Sequence, residues 1–388
     1  MTKRQQPLTR TVRAGLETDR EHGAVVPPIY LSSTFTFAGL NSRRRYDYSR
    51  SGNPTRDALA EALADLEGGA GAVVTATGMA AVHLALVLAR PGERIVAPHD
   101  CYGGTYRLLA ALRRTGRAEV DLVDMSDAAA VARALAAGPR LVWIETPSNP
   151  LLRITDIAAV AAGAHAAGAL VAVDNTFMSP AWQQPIALGA DIVVHSTTKY
   201  VNGHSDVVGG AVVARDAGLA EELAWWANCL GITGGAFDSF LTLRGLRTLH
   251  VRLAQHAANA GAVAGLMSSD PAVSRVYYPG LASHAGHALA ARQQAGFGAI
   301  VSFELAGGLP AVAAFLDGLQ CFSLAESLGG VESLVAHPDT MTHAAMDPAA
   351  RIEAGITPGL LRLSVGIEAT EDLLADLRAG LDRARKAR

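Results

Sequence analysis

The sequence predicts an α/β fold: a mostly parallel central sheet with helices on both faces, followed by a smaller C-terminal α/β domain. The prediction rests on short β-rich runs alternating with helix-period segments from about residue 56, and on a change of texture after about residue 250. Composition agrees. At 388 residues, 50% hydrophobic and 18% charged, the chain can bury a large core, and its 39 glycines and many alanines suit close packing of helices on sheets.

Along the chain, the first fifty-odd residues stand apart. "VVPPIYLSSTFTF" and "YDYSRSGNPT" are extended, polar and punctuated by proline, so residues 1–57 read as an arm that lies against something else. "TRDALAEALADLEGG" then places apolar residues at helical spacing and stops at Gly68 and Gly69, a C-cap signal. The runs "AVVTA", "RIVAP", "VDLVD", "RLVWIET", "LVAVD" and "DIVVHS" alternate with helical segments such as "MAAVHLALVLA" and "GTYRLLAALRRTG". Residues 58–250 therefore read as the large domain. Residues 251–388 read as the small one: a long helical pattern, then "VSRVYYPG", "AIVSFELAGG", "LLRLSVGIE" and a charged closing helix.

Charge and cysteine content exclude several classes. A formal net charge of −3 without a basic block offers no nucleic-acid surface and no membrane-surface patch. No window reaches the roughly 18 unbroken apolar residues of a membrane span, and the polar start lacks the apolar core of a secretory signal. Cys101, Cys229 and Cys321 lie far apart with no CxxC, so a reducing cytoplasm is expected, with no metal site and small soluble molecules as partners.

In a sheet of this kind, ligands bind beyond the carboxyl ends of the strands. Asp174 closes "LVAVD", and Lys199 follows "DIVVHS" in a loop of small and hydroxylated residues. Two readings of this pair stand open on the residues alone. Lys199 and Asp174 form a structural ion pair, or Lys199 works as a neutral amine toward a carbonyl while Asp174 faces a protonated pyridine nitrogen, the protein's half of pyridoxal phosphate chemistry. Thr77-Gly78-Met79, between a strand and a helix, adds a place for a phosphate, and Ser196 and Thr198 add hydroxyl donors. Tyr102, after "RIVAP", suits stacking on a flat ring. A nicotinamide site is poorly supported, because GxGxxG and its following acid are both missing.

These stretches, with "YSRSGNPT", "APHDCYGGTYR", "ETPSNPLL", "VDNTF", "HSTTKYVNGHSDVVGG", "LAESLGGVESL", "MTH" and "LRLSVGIE", closely resemble the Cys/Met-metabolism pyridoxal phosphate enzymes over nearly the whole chain. The resemblance implies the fold type I, aminotransferase-like architecture and a homotetramer built as a dimer of dimers. It implies pyridoxal 5'-phosphate held by Lys199 as an internal aldimine, with Asp174 at the ring nitrogen, Tyr102 on the ring, and Gly78, Met79, Ser196 and Thr198 at the phosphate. Tyr48 and Arg50 would reach the phosphate in the neighbouring subunit, which gives the arm a purpose. Arg362 would take the substrate α-carboxylate, with Asn149 and Ser327 positioning substrate and cofactor. Glu326 would hold the amino group of incoming cysteine, and Arg107 a succinyl carboxylate. The implied reaction replaces the γ-substituent of an O-acylhomoserine by cysteine thiolate, giving cystathionine. Cleavage of cystathionine at the γ-position is the alternative. Ser51, where relatives can carry arginine, keeps an O-acetyl donor open.

Overall fold

The computed structural model describes residues 5–344 and 346–387. Its strands are β1 (Gly71–Thr75), β2 (Arg94–Pro98), β3 (Glu119–Val123), β4 (Leu141–Glu145), β5 (Leu170–Asp174) and β6 (Ile192–His195). They continue as β7 (Gly210–Ala214), β8 (Val273–Tyr277), β9 (Ile300–Leu305), β10 (Phe322–Leu324), β11 (Ser333–Ala336) and β12 (Leu360–Ser364). Two compact units result: Leu170–His250 with the described residues up to Leu88, and Ala89–Ala169 with the described residues from Val251 on. The grouping differs from a simple division at 58 and 250, because 89–169 clusters with the C-terminal residues.

In the first unit the strands lie in the order β1-β7-β6-β5. β5 and β6 are parallel, with Asp174 opposite Val194. β7 runs antiparallel to both β6 and β1. Every residue of β6 and β7 is buried, which is why "IVVH" and "GAVVA" show no alternation of apolar and polar positions. Helix Pro54–Glu67 covers this sheet region with Leu59, Leu63 and Leu66. Its start and stop are written in the sequence. Asn53 accepts from the N–H groups of Thr55 and Arg56, a cap that contributes about 1 kcal/mol, and Gly68 closes the helix at φ +77°, where a side chain would be strained.

The arm before this helix holds one short helix, Pro7–Arg13, and a bridge between Thr34 and Tyr48. Asn53 ties it down through Nδ2 to the Tyr30 carbonyl, 2.9 Å. Leu40 is 97% exposed and Leu31 74%, an arrangement of apolar side chains that only a covering surface would stabilise.

In the second unit β4-β2-β3 are parallel neighbours. A separate five-stranded sheet has the order β10-β11-β12-β9-β8, antiparallel except between β10 and β11. Phe303 of β9 packs edge-on against Phe315, rings 5.5 Å apart, at the centre of this layer.

Two buried histidines in this unit make its stability depend on pH. His256 donates Nδ1–H to the Val365 carbonyl at 2.6 Å, and burial pushes its pKa down from 6.5 to about 4. Burial first, and then the Arg362 charge, do the same to His343, again to about 4. Between pH 6.5 and 4 the unfolded chain binds protons at these sites that the folded chain does not, so stability falls as pH is lowered through that window. Above 6.5 both states are neutral and the effect vanishes. Each site contributes up to about 3 kcal/mol at the acid end of the window. Urea unfolding at pH 7 and pH 5 is expected to show the loss, and His256→Gln to reduce the proton uptake on unfolding by about one. An unchanged pH slope in that variant would refute the account.

Candidate active site

The first unit gathers one group of the expected residues at its strand ends. Helix Gly78–Leu86 follows β1, with Thr77 as its cap, accepting from the Ala80 N–H. Gly78 and Met79 therefore form the helix's first turn, where unpaired N–H groups and the macrodipole favour an anion. A Cβ built on Gly78 would lie 2.7 Å from both Cβ and Oγ of Ser196. Only glycine lets the backbone come this close to the loop after β6, and the result is a cradle lined by main-chain N–H and a hydroxyl. The Ser196 N–H donates to Thr176 Oγ1 at 2.9 Å, which fixes the start of that loop. The Thr198 hydroxyl binds the backbone of Gly209, donating to its carbonyl at 3.2 Å and accepting from its N–H at 3.0 Å, so here it braces the loop.

Lys199 is held in a turn of the same loop. Its N–H donates to the Ser196 carbonyl at 3.2 Å and its own carbonyl accepts from Gly203 N–H at 2.8 Å, leaving the residue half-buried. Asp174, at the end of the neighbouring β5, accepts from the Thr176 N–H at 3.0 Å. Burial pushes the Asp174 carboxyl above its usual range, while Thr176 and the charge of His195 pull the other way. A buried carboxylate in this state is matched by a cation placed against it. An anion cradle, an amine-bearing side chain and a buried carboxyl in one unit fit a phosphorylated pyridine aldehyde. Tyr48 is half exposed, and the Arg50 guanidinium lies 5.9 Å from its ring centroid while donating to the Asn228 carbonyl at 3.2 Å.

The second unit gathers the other group. Arg362 lies in β12, 2% exposed, with Nη1 donating to Asn149 Oδ1 at 2.9 Å and Nη2 to the Ser327 carbonyl at 2.8 Å. Asn149 and Ser327 thus aim the guanidinium, and Ser327 does so with its main chain, at φ +87°, a strained conformation for a residue with a side chain. Tyr102 precedes helix Gly103–Arg114, its N–H donating to Glu145 Oε2 at 2.9 Å. Burial pushes its phenol up. Arg107 and Arg362 pull it down and Glu326 and Glu145 push it up, so the charges of all four reach this ring.

Three residues of these surroundings have no role in the sequence reading. Glu145 ends the wholly buried β4 and anchors Tyr102; an acid closing an apolar run was the available signal. His343 donates Nε2–H to the Asn149 carbonyl at 3.1 Å and bonds Thr342 through Nδ1 at 2.8 Å, visible beforehand only as part of "MTH". Thr176 orients both Asp174 and Ser196, two residues after the strand. Among the described residues, no group of three His, Cys, Asp or Glu side chains is placed to hold a metal, and no helix is long and apolar enough to cross a membrane.

An α/β chain with a lysine beyond one buried strand, a carboxyl at the end of the next and a glycine-built anion cradle has the features of a fold type I pyridoxal phosphate enzyme. Residues 8–382 match the model of the Cys/Met metabolism PLP-dependent enzymes, and the chain belongs to that family and depends on pyridoxal phosphate. It is 56% identical to the cystathionine γ-synthase of Escherichia coli (strain K12) over 387 residues, 100% of each chain. The crystal structure of cystathionine γ-synthase from Xanthomonas oryzae pv. oryzae in complex with cystathionine superimposes with a TM-score of 0.99 at 61% identity, covering 100% of both chains. Cystathionine γ-lyase from Lactobacillus plantarum, complexed with L-serine, matches with a TM-score of 0.95 at 41% identity, covering 98% of this chain and 100% of the other.

Proposed function

We propose that this chain is a cystathionine γ-synthase: it replaces the acyl group of O-succinyl-L-homoserine by the thiol of L-cysteine, giving L-cystathionine and succinate. The observation that carries this reading is identity of 56% to a γ-synthase along the full length, extended by a γ-synthase crystal structure with cystathionine at 61%. Bound pyridoxal phosphate supplies an electron sink that makes the substrate's α- and β-protons removable.

The chain's own residues then divide the work. Lys199 would hold the cofactor through its amine and would carry protons to and from the substrate's Cα and Cβ. Asp174 would pair with the ring nitrogen, and Tyr102 would stack on the ring. Gly78, Met79, Ser196 and Thr198 hold the phosphate, Ser196 with its hydroxyl and Thr198 by bracing the loop. Arg362, aimed by Asn149 and Ser327, forks onto the α-carboxylate, a planar match that an ammonium does not offer. Arg107 takes the distal carboxylate of the succinyl group and Glu326 the amino group of cysteine. These roles follow the family motifs that the residues occupy.

Tyr48 and Arg50 serve the phosphate of a second copy, which would cover the exposed apolar arm, and the assembly is a homotetramer of two such dimers. The functional division follows: an arm over 1–57, a cofactor domain over 58–250 and a small domain over 251–388. The protein works in the cytoplasm on free amino acids.

Mass spectrometry of products tests this reading. The purified protein should form cystathionine from O-succinyl-L-homoserine only when L-cysteine is present, and less from the O-acetyl ester. Release of 2-oxobutanoate and cysteine from cystathionine alone, with poor synthesis, would make it a γ-lyase instead and would point to Ser51, in place of arginine, as the reason.

A further inference from the structure

Glu67 and His195 have no part in the roles above, yet their side chains meet in a buried contact. Glu67 is the last residue of helix Pro54–Glu67, the end at which the helix dipole disfavours an anion, and its side chain is fully buried. Its Oε1 accepts from His195 Nε2 at 2.6 Å and from Asn175 Nδ2 at 2.9 Å. The first distance is short for N–H···O, as charge-assisted bonds are. A carboxylate so placed requires a positive partner, and the imidazole is the titratable group that meets it.

His195 ends β6, one residue beyond Val194, which is the register partner of Asp174 on β5. The ring is fully buried. Glu67 occupies Nε2, and Nδ1 has no hydrogen-bond partner among the described residues. Asp174 on the neighbouring strand feels the charge of this ring, which opposes the effect of burial on its carboxyl. With the imidazole protonated, two carboxylates and one imidazolium would leave a single negative charge, which a protonated pyridine nitrogen would balance.

We propose that Glu67 and His195 are a carboxylate–imidazolium pair that holds Asp174 ionised against the ring nitrogen of bound pyridoxal phosphate. They are positioning residues, and the proposal rests on the assignment of Asp174 to that nitrogen. The test uses holoenzyme carrying nitrogen-15-labelled cofactor, and affinities for pyridoxal phosphate and for its analogue with CH in place of the ring nitrogen. Glu67→Gln keeps the shape and removes the charge. It is expected to shift the ring-nitrogen resonance toward the unprotonated form and to weaken pyridoxal phosphate about tenfold, leaving the analogue's affinity unchanged.

A merely structural pair would weaken both ligands alike or neither, with the resonance unmoved, and that result overturns the proposal. Asp174→Asn is the reference. If it moves the resonance and Glu67→Gln does not, the pair's role fails alone; if neither moves it, the assignment of Asp174 fails as well. Neutron diffraction of the wild-type holoenzyme decides the matter even if a variant does not fold. Hydrogens on both Nδ1 and Nε2 of His195, with none on Glu67, are expected, and a single ring hydrogen refutes it.

Discussion

Lys199→Ala is expected to lower kcat for cystathionine formation by at least about 10³-fold, near the upper end of what one positioned acid–base group contributes. The loss should be large because, in the proposed mechanism, one amine serves several proton transfers and also holds the cofactor. The loop around it depends on main-chain bonds, Lys199 N–H to Ser196 and Gly203 N–H to Lys199, which alanine preserves. Pyridoxal phosphate should therefore still bind through the Gly78–Ser196 cradle and Asp174, but borohydride should no longer fix it to the chain. Lys199→Arg should be as inactive, since a guanidinium does not release its proton near neutrality. Activity within tenfold of wild type in either variant would remove Lys199 from the mechanism.

Arg362→Ala is expected to lower kcat/KM for O-succinyl-L-homoserine by about 10²–10⁴-fold, with most of the change in KM. Each hydrogen bond from a charged donor contributes about 1.5–3 kcal/mol, and about 1.4 kcal/mol is a factor of ten. Arg362→Lys should recover little. Asn149 and Ser327 receive two different guanidinium nitrogens, and a point charge on a flexible stem cannot be anchored at both and still face a carboxylate. Cofactor content and circular dichroism should match wild type, separating binding from folding. A lysine variant with full kcat/KM would remove Arg362 from recognition of the α-carboxylate and leave it a structural hydrogen-bond donor.

Much of this was legible beforehand. "LVAVD" is β5 and "RIVAP" is β2, residue for residue, because a buried parallel strand is a continuous apolar run and needs no partner to be recognised. Gly68 ended its helix as its sequence context suggested. β7 escaped notice as a strand. "GAVVA" follows a glycine-rich loop, and nothing local says that it returns antiparallel between β1 and β6. The family resemblance implied general positioning roles for Asn149 and Ser327, and the structure shows their oxygens accepting from two nitrogens of Arg362.

By itself the sequence determined the parallel strands, the stop of the helix at Gly68 and the family motifs, because periodicity, capping and glycine conformations are properties of neighbouring residues. Only the tertiary structure decided that Glu67 meets His195, 128 positions apart, and that Asn149 meets Arg362, 213 apart. Such pairs arise when the folded core removes water from both partners at once. Their stability belongs to that shared burial, and no local pattern along the chain records it.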